Sequence, residues 1–184
     1  LLACGGVRDV EDAKKILYAG ANKVCMNSAA IANPDIVKEI SEKFGRTRII
    51  VAIDLSTVEN PVEWAQTMEE KGAGELLLIH NNQVENYVSI VNEIRNSVRI
   101  PIIISSYATK AADMKELIES TDADSISLYS LEKMDIMEIK QELAEANIEV
   151  QTYESSLDFS TFKLNSDGLI PVIVQDYKTH EVLM

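Results

Sequence analysis

The sequence holds little from which to build a metal centre, with two histidines and two cysteines in 184 residues and no CxxC pair. Cys4 and Cys25 each end or lie within an apolar run, so both are expected as buried thiols of a reducing compartment. No apolar run approaches the roughly 20 residues of a membrane span, and no signal peptide is visible. Basic residues are also short: 17 Lys and Arg against 30 Asp and Glu give a formal net charge of −13. The acids spread through the helical stretches, so a nucleic-acid partner, which needs a basic stripe, is excluded. An anionic ligand would need local donors to overcome that field. The first residue is Leu and the chain opens inside an apolar run, so further chain is expected ahead of Leu1.

What is present is a repeat. Apolar runs begin near Leu1, Lys23, Arg48, Glu75, Ile100, Ser125 and Ile148, about 22 to 27 residues apart, the period of a strand-helix unit. The run Ile49 to Ile53 is continuous rather than alternating, which suits a strand buried on both faces of a parallel sheet. It ends in Asp54, and strand ends are where α/β barrels place their chemistry.

The punctuation between runs agrees. Asp9 is expected to cap a helix through Tyr18, with Asp12 in the capping-box position and Gly20 past the end. Asn33-Pro34 and Asn60-Pro61 open two more helices, closed by Gly45 and Gly72. Further helices are expected over Val84 to Ile94, Ala111 to Ile118 and Ile136 to Ala146. Parallel strands with right-handed crossovers follow. Residues 151–163 are polar and read as a linker, and 164–184 as a β-hairpin opening a second, β-rich domain, leaving 1–150 as the (βα) portion.

The stretch Cys4 to Ala13, beginning Cys-Gly-Gly-Val-Arg-Asp, then Ala19 to Val24, Asn27 to Ala30, Asn33-Pro34, Val51 to Asp54 and Glu70 to Leu78 closely resembles the cyclase subunit of imidazole glycerol phosphate synthase. That family is a (βα)₈ barrel of histidine biosynthesis, which implies an α/β fold here, an incomplete or degenerate TIM barrel lacking its first two βα units. The resemblance gives Gly5, Gly6, Asn27 and Ser28 a phosphate-binding role, chemically apt because glycines let backbone N–H groups approach and Asn and Ser add donors. Without a phosphate, the same residues serve as tight turns and helix entries. Asp54 matches one of the family's two catalytic acids. Its partner would lie in the strands ahead of Leu1, and general acid/base work needs a second positioned group, so Asp54 is read as vestigial. A bland alternative is an aspartate that ends a strand by bonding nearby backbone N–H groups.

The departures from the family pattern carry as much information. Few residues separate Asp54 from the helix at Asn60, where the family has a long covering loop, and Ile79 to Gln83 replace an acidic, glycine-bearing loop. Ser105-Ser106-Tyr107 and Leu128-Tyr129 stand where the family's second phosphate site has small residues. His80 reads as a hydrogen-bonded surface residue, and Trp64 and the methionines as core.

Leu164 to Asp176 with Glu181 to Met184 resembles the opening hairpin of phosphoribosyl-AMP cyclohydrolase. The two resemblances together imply a cytoplasmic histidine-biosynthesis polypeptide, a cyclohydrolase joined to phosphoribosyl-ATP pyrophosphatase, with a non-catalytic cyclase-like barrel in front. Zinc and magnesium are implied only for the cyclohydrolase part, whose ligands would lie beyond Met184; no metal or cofactor is expected in this segment. The implied ligand is a phosphoribosyl intermediate, and a homo-oligomer or packing against other parts of the polypeptide would cover open sheet edges. An active cyclase and a phosphoribosyl-sensing regulatory domain are the alternatives.

Overall fold

The computed structural model describes residues 1–80, 86–108, 110–129, 135–152, 159–176 and 178–183. The expected helix start at Val84 and the segment Asn81 to Gln83 lie outside them, as do Ser155 and Ser156 of the expected linker. The chain divides into two compact units, Leu1–Val150 and Gln151–Met184.

In the first unit six strands alternate with helices. The strands are β1 (Leu2–Cys4), β2 (Lys23–Met26), β3 (Ile49–Asp54), β4 (Glu75–Ile79), β5 (Ile102–Ser106) and β6 (Ser125–Leu128). The helices are α1 (Val10–Tyr18), α2 (Ser28–Ala32), α3 (Asp35–Phe44), α4 (Pro61–Glu70), α5 (Tyr87–Ser97), α6 (Ala111–Thr121) and α7 (Ile136–Glu145). All six strands pair in parallel, each with its neighbour in sequence, in the order β1-β2-β3-β4-β5-β6.

Residue parity decides which kind of parallel sheet this is. Val24, Met26, Ile49, Val51, Ile53, Leu76, Leu78, Ile102 and Ile104 share one apolar cluster with Ala13, Ile36, Ile40, Ala65, Met68, Val91 and Ile94 of the helices. The residues between them, Cys25, Ile50, Ala52, Leu77, Ile79 and Ile103, gather on the other face with no helical residue among them. A doubly wound sheet would bring helices to both faces, whereas a barrel wall carries them on one. Helices on one face and a strand order without reversal make this an incomplete (βα) barrel, a curled half-barrel in which β1 and β6 each pair with a single described strand.

Local signals hold where a side chain supplies the bond. Asp9 accepts the Asp12 N–H at 2.8 Å, and Asn60 accepts that of Glu63 at 3.3 Å, each satisfying an orphan donor of a helix start. The Asp12 carboxylate turns to the Arg8 backbone N–H and guanidinium rather than closing a capping box on Asp9. Asn33 accepts from the Asp35 N–H at 3.2 Å at the start of α3. Gly74 is required by contact: a Cβ there would lie 2.1 Å from the carbonyl oxygen of Arg46.

Two expectations need correction, and one element is new. The run at Ile148 forms no strand; Ile148 and Val150 pack on Ala111, Met114, Ile139 and Leu143, because apolar residues beside an open edge find helix faces closer than a ladder partner. The short helix α2 is unforeseen, since Ser28 to Ala32 is too brief for periodicity to show. Cys4 is exposed rather than buried, because β1 is an edge strand.

In the second unit Phe159–Thr161 makes a 3-10 turn, and an isolated antiparallel bridge joins Gln175 and Val182. Asp176 caps the turn between them, its carboxylate accepting the backbone N–H groups of Lys178 and Thr179 at 2.8 and 2.7 Å. Those bonds hold the Asp176 carboxyl below its ordinary pKa.

Candidate functional site

Because all strands run the same way, the residues that follow each strand meet at one end of the sheet, and the hydrogen-bonded order sets which are neighbours. Gly5-Gly6 follows β1 and Asn27-Ser28 follows β2, its paired neighbour, so the sequence's candidate phosphate residues come together. Gly5 and Gly6 hold φ of +87° and +75°, backbone that L side chains rarely adopt. Nothing lies within 4 Å of where their Cβ atoms would be, so the turn faces open space. Asn27 stands at the start of α2 without capping it, and its side-chain oxygen is buried with no hydrogen-bond partner.

Asp54 ends β3, beside this pair of turns. Its Oδ1 accepts the Ser56 N–H at 2.9 Å and the Ser56 hydroxyl at 2.6 Å, and its carbonyl accepts the N–H groups of Thr57 and Val58. This is a self-contained aspartate turn, which tightens the exit of β3 so that α4 can begin at Pro61. Among the described strand ends, Cys4, Met26, Ile79, Ser106 and Leu128, none offers a second carboxylate.

The ends of β4 to β6 look different. The imidazole of His80 stacks on Tyr87, ring centroids 4.1 Å apart and planes at 18°. His80 donates its backbone N–H to the Ser105 hydroxyl at 2.9 Å, and its Nδ1 is buried and unpartnered, so that nitrogen lacks the hydrogen bond expected of the ring. Burial lowers its pKa, favouring the neutral ring. Burial pushes the Tyr87 phenol well above its ordinary value, with Tyr129 adding to the shift, and its Oη also lacks a partner. Tyr107 stacks on Tyr129 at 4.3 Å and 15°, two rings where a backbone cradle for phosphate would need small residues. Sequence reasoning passed over Tyr87.

On the opposite strand pair, Cys4 and Cys25 are directly in register on neighbouring strands. Burial, with Cys4 adding, pushes the Cys25 thiol up to about 12. Among the described residues no three His, Cys, Asp or Glu side chains gather where they could hold a metal ion. No described helix is long and apolar enough to cross a membrane.

One-sided helices, parallel neighbour-by-neighbour strands and polar turns collected at the strand ends define an α/β protein of the (βα)-barrel class. Comparison with known proteins narrows this. Residues 2–130 match the family described as histidine biosynthesis protein. The chain is similar to "Imidazole glycerol phosphate synthase subunit HisF" of Clostridium botulinum (strain Okra / Type B1), 33% identical over 172 residues, covering 80% of this chain and 68% of the relative. It is 36% identical over 168 residues to the protein of the same name from Sulfurisphaera tokodaii, with the same coverage. A Streptomyces griseus relative of that name is 35% identical over 166 residues, covering 77% of this chain and 66% of its own. The chain belongs to the histidine biosynthesis protein family.

Proposed function

We propose that residues 1–150 are a cyclase-like module of a cytoplasmic histidine-biosynthesis polypeptide that no longer performs the cyclase reaction. The observation that carries this reading is the pair of stacked tyrosines, Tyr107 on Tyr129, at the strand ends where the second phosphate of a two-phosphate substrate would have to sit. Asp54, already committed to the Ser56 turn, is then a structural residue. Gly5, Gly6, Asn27 and Ser28 remain able to hold one phosphate of a phosphoribosyl intermediate, since the glycine turn is open at positive φ. The role of the module is in assembly, with its edge strands β1 and β6 meeting other parts of the polypeptide or a second copy.

In the same reading 164–184 begin a phosphoribosyl-AMP cyclohydrolase domain after a linker at 151–163, and the polypeptide hydrolyses phosphoribosyl-AMP and phosphoribosyl-ATP. The antiparallel bridge between Gln175 and Val182 and the Asp176-capped turn support a hairpin there. The test uses the full polypeptide. Ammonia-dependent formation of imidazole glycerol phosphate is expected to be undetectable, while hydrolysis of phosphoribosyl-AMP proceeds and survives Asp54→Asn.

A second reading, an active cyclase, draws on the similarity to HisF proteins over 80% of the chain and on the position of Asp54 at a strand end. Cyclase turnover that Asp54→Asn abolishes would establish it and overturn the first. A regulatory variant of the first reading, in which the Gly5-Gly6 turn senses a phosphoribosyl compound, requires that compound to bind at millimolar concentration and to change the hydrolase rate.

A further inference from the structure

The sequence contains two cysteines, and the fold sets them opposite each other. Cys4 closes β1, Cys25 lies within β2, and the two are Cα partners in the parallel ladder. Neighbouring strands run about 4.8 Å apart, inside the roughly 4.4–6.8 Å between Cα atoms that a disulfide spans. Residues in register on parallel strands point to the same side of the sheet, and Cys25 is on the side away from the helices, with Ile50 and Ala52. Both thiols share that face, side by side.

Their surroundings differ, and the difference sets an order of reaction. Cys4 is exposed: it is the last residue of β1, and the open Gly5-Gly6 turn follows it. Cys25 is only 3% exposed, on a strand paired on both sides. Burial raises its pKa, so the sulfur stays protonated, and a buried thiol of that kind is inert towards reagents in solution. A dissolved oxidant therefore meets Cys4 first. Cys25 reacts only with what already lies beside it, which is the sulfur of Cys4.

The backbone lets the pair close. Cβ atoms of in-register parallel residues stand about as far apart as the strands, more than the roughly 3.8 Å of a mean disulfide, so β1 has to lean toward β2. β1 is three residues long, pairs with no other described strand and leads into glycines at positive φ, so little else has to move. The Gly5 N–H reaches the Cys25 carbonyl at 3.4 Å, a long bond that a closer β1 would shorten. An exposed bond formed under such a lean is readily reduced, which suits a switch rather than a permanent staple.

We propose that Cys4 and Cys25 form a peroxide-operated dithiol switch, whose disulfide fastens β1 to β2 at the base of the Gly5-Gly6 turn. In the first step the Cys4 sulfur attacks one oxygen of hydrogen peroxide and the O–O bond breaks. Cys4 becomes a sulfenic acid, and its thiol proton goes to the departing oxygen, which leaves as water. In the second step the Cys25 sulfur bonds to the Cys4 sulfur and the S–O bond breaks. The Cys25 proton leaves with that oxygen as a second water. Two thiols lose two electrons, the peroxide gains them, and a dithiol reductant reverses the change. The bond forms whether or not the turn holds a phosphate.

The test treats the reduced whole polypeptide with a few-fold molar excess of hydrogen peroxide and maps its tryptic peptides without reduction. The peptide ending at Arg8 is expected to be joined to the one running from Val24 to Lys38, two hydrogen masses below their sum. Its yield should be independent of protein concentration and reversed by dithiothreitol. In Cys25→Ser the Cys4 sulfenic acid should accumulate and be trapped by dimedone. In Cys4→Ser, Cys25 should be oxidised at least about tenfold more slowly than Cys4 is in the parent chain. Hydrogen exchange reads the fastening itself: β1 opens by parting from β2, so amide protons of that ladder should exchange at least about tenfold more slowly once the disulfide is closed. Thermal melts report whether each variant is folded, and the peptide map of the parent chain needs neither variant. Absence of the joined peptide, a link found only between two chains, Cys25 reacting as fast without Cys4, or ladder exchange unchanged by closure would each overturn the proposal.

Discussion

The two halves of this sheet are built from one repeat and diverge at its ends. In β1 to β3 the strand ends are glycines at positive φ, Asn27 and a self-capped aspartate, open and small. In β4 to β6 they are stacked rings, His80 on Tyr87 and Tyr107 on Tyr129. Packing differs too. Ile49 to Ile53 are all buried, whereas β6 alternates between exposed and half-buried residues because nothing described pairs with its far side. The repeat sets the strand spacing and the helix-facing parity, and both halves obey it. Residues past a strand end pack against little, so they can change chemistry without disturbing the wall that carries them.

The sharpest way to break the comparison is at the joint between the halves. Gly74 leads into β4 against the backbone of Arg46, and Gly74→Ala is expected to cost at least about 4 kcal/mol, because backbone cannot yield as a side chain can. A urea midpoint close to that of the parent would show that the two halves are not locked there. Next in size is the contrast between centre and edge. Ile53→Ala should destabilise by about 3 kcal/mol and Ile126→Ala, half-buried on β6, by about 1 kcal/mol. Equal losses in the same urea series would mean that β6 is covered in solution.

Helix starts give a smaller, local measure. Asn60→Ala removes the side-chain acceptor for Glu63 and should cost about 1 kcal/mol of stability by thermal or urea unfolding, while Lys110→Ala, at an α6 start with extended backbone and no side-chain cap bond, should cost less. The smallest effect is in pH. Burial depresses the His80 pKa from 6.5 in the folded chain, so the unfolded chain takes up the proton more readily. Stability from this group is full above about pH 6.5 and falls as pH drops below it, until the folded ring also protonates. His80→Gln should flatten that part of the stability curve, and an unchanged slope would show that the ring is better solvated than its stacking on Tyr87 indicates.

Much of the wall was legible before any coordinates. Caps at Asp9 and Asn60 depend on one side chain and the N–H three residues on, so local spacing suffices to find them. The unbroken apolar run at β3 announced burial on both faces, and Ile50 and Ala52 are indeed covered opposite the helices. The candidate site was legible in half. Gly5, Gly6, Asn27 and Ser28 stand out by residue type, and parallel pairing of β1 with β2 brings them together. Tyr87 has no signature of its own, since a tyrosine opening a helix is ordinary surface grammar. Cys4 misled for a related reason: an apolar run says that a strand exists and is silent about whether it lies at an edge.

The sequence by itself determined the repeat, the strand and helix types and the family to which they belong, because those rest on period, caps and residue composition within a few turns of chain. Tertiary structure decided on which face the helices lie and that the rings of His80 and Tyr87, and of Tyr107 and Tyr129, stack on one another. Those outcomes depend on which segments become neighbours.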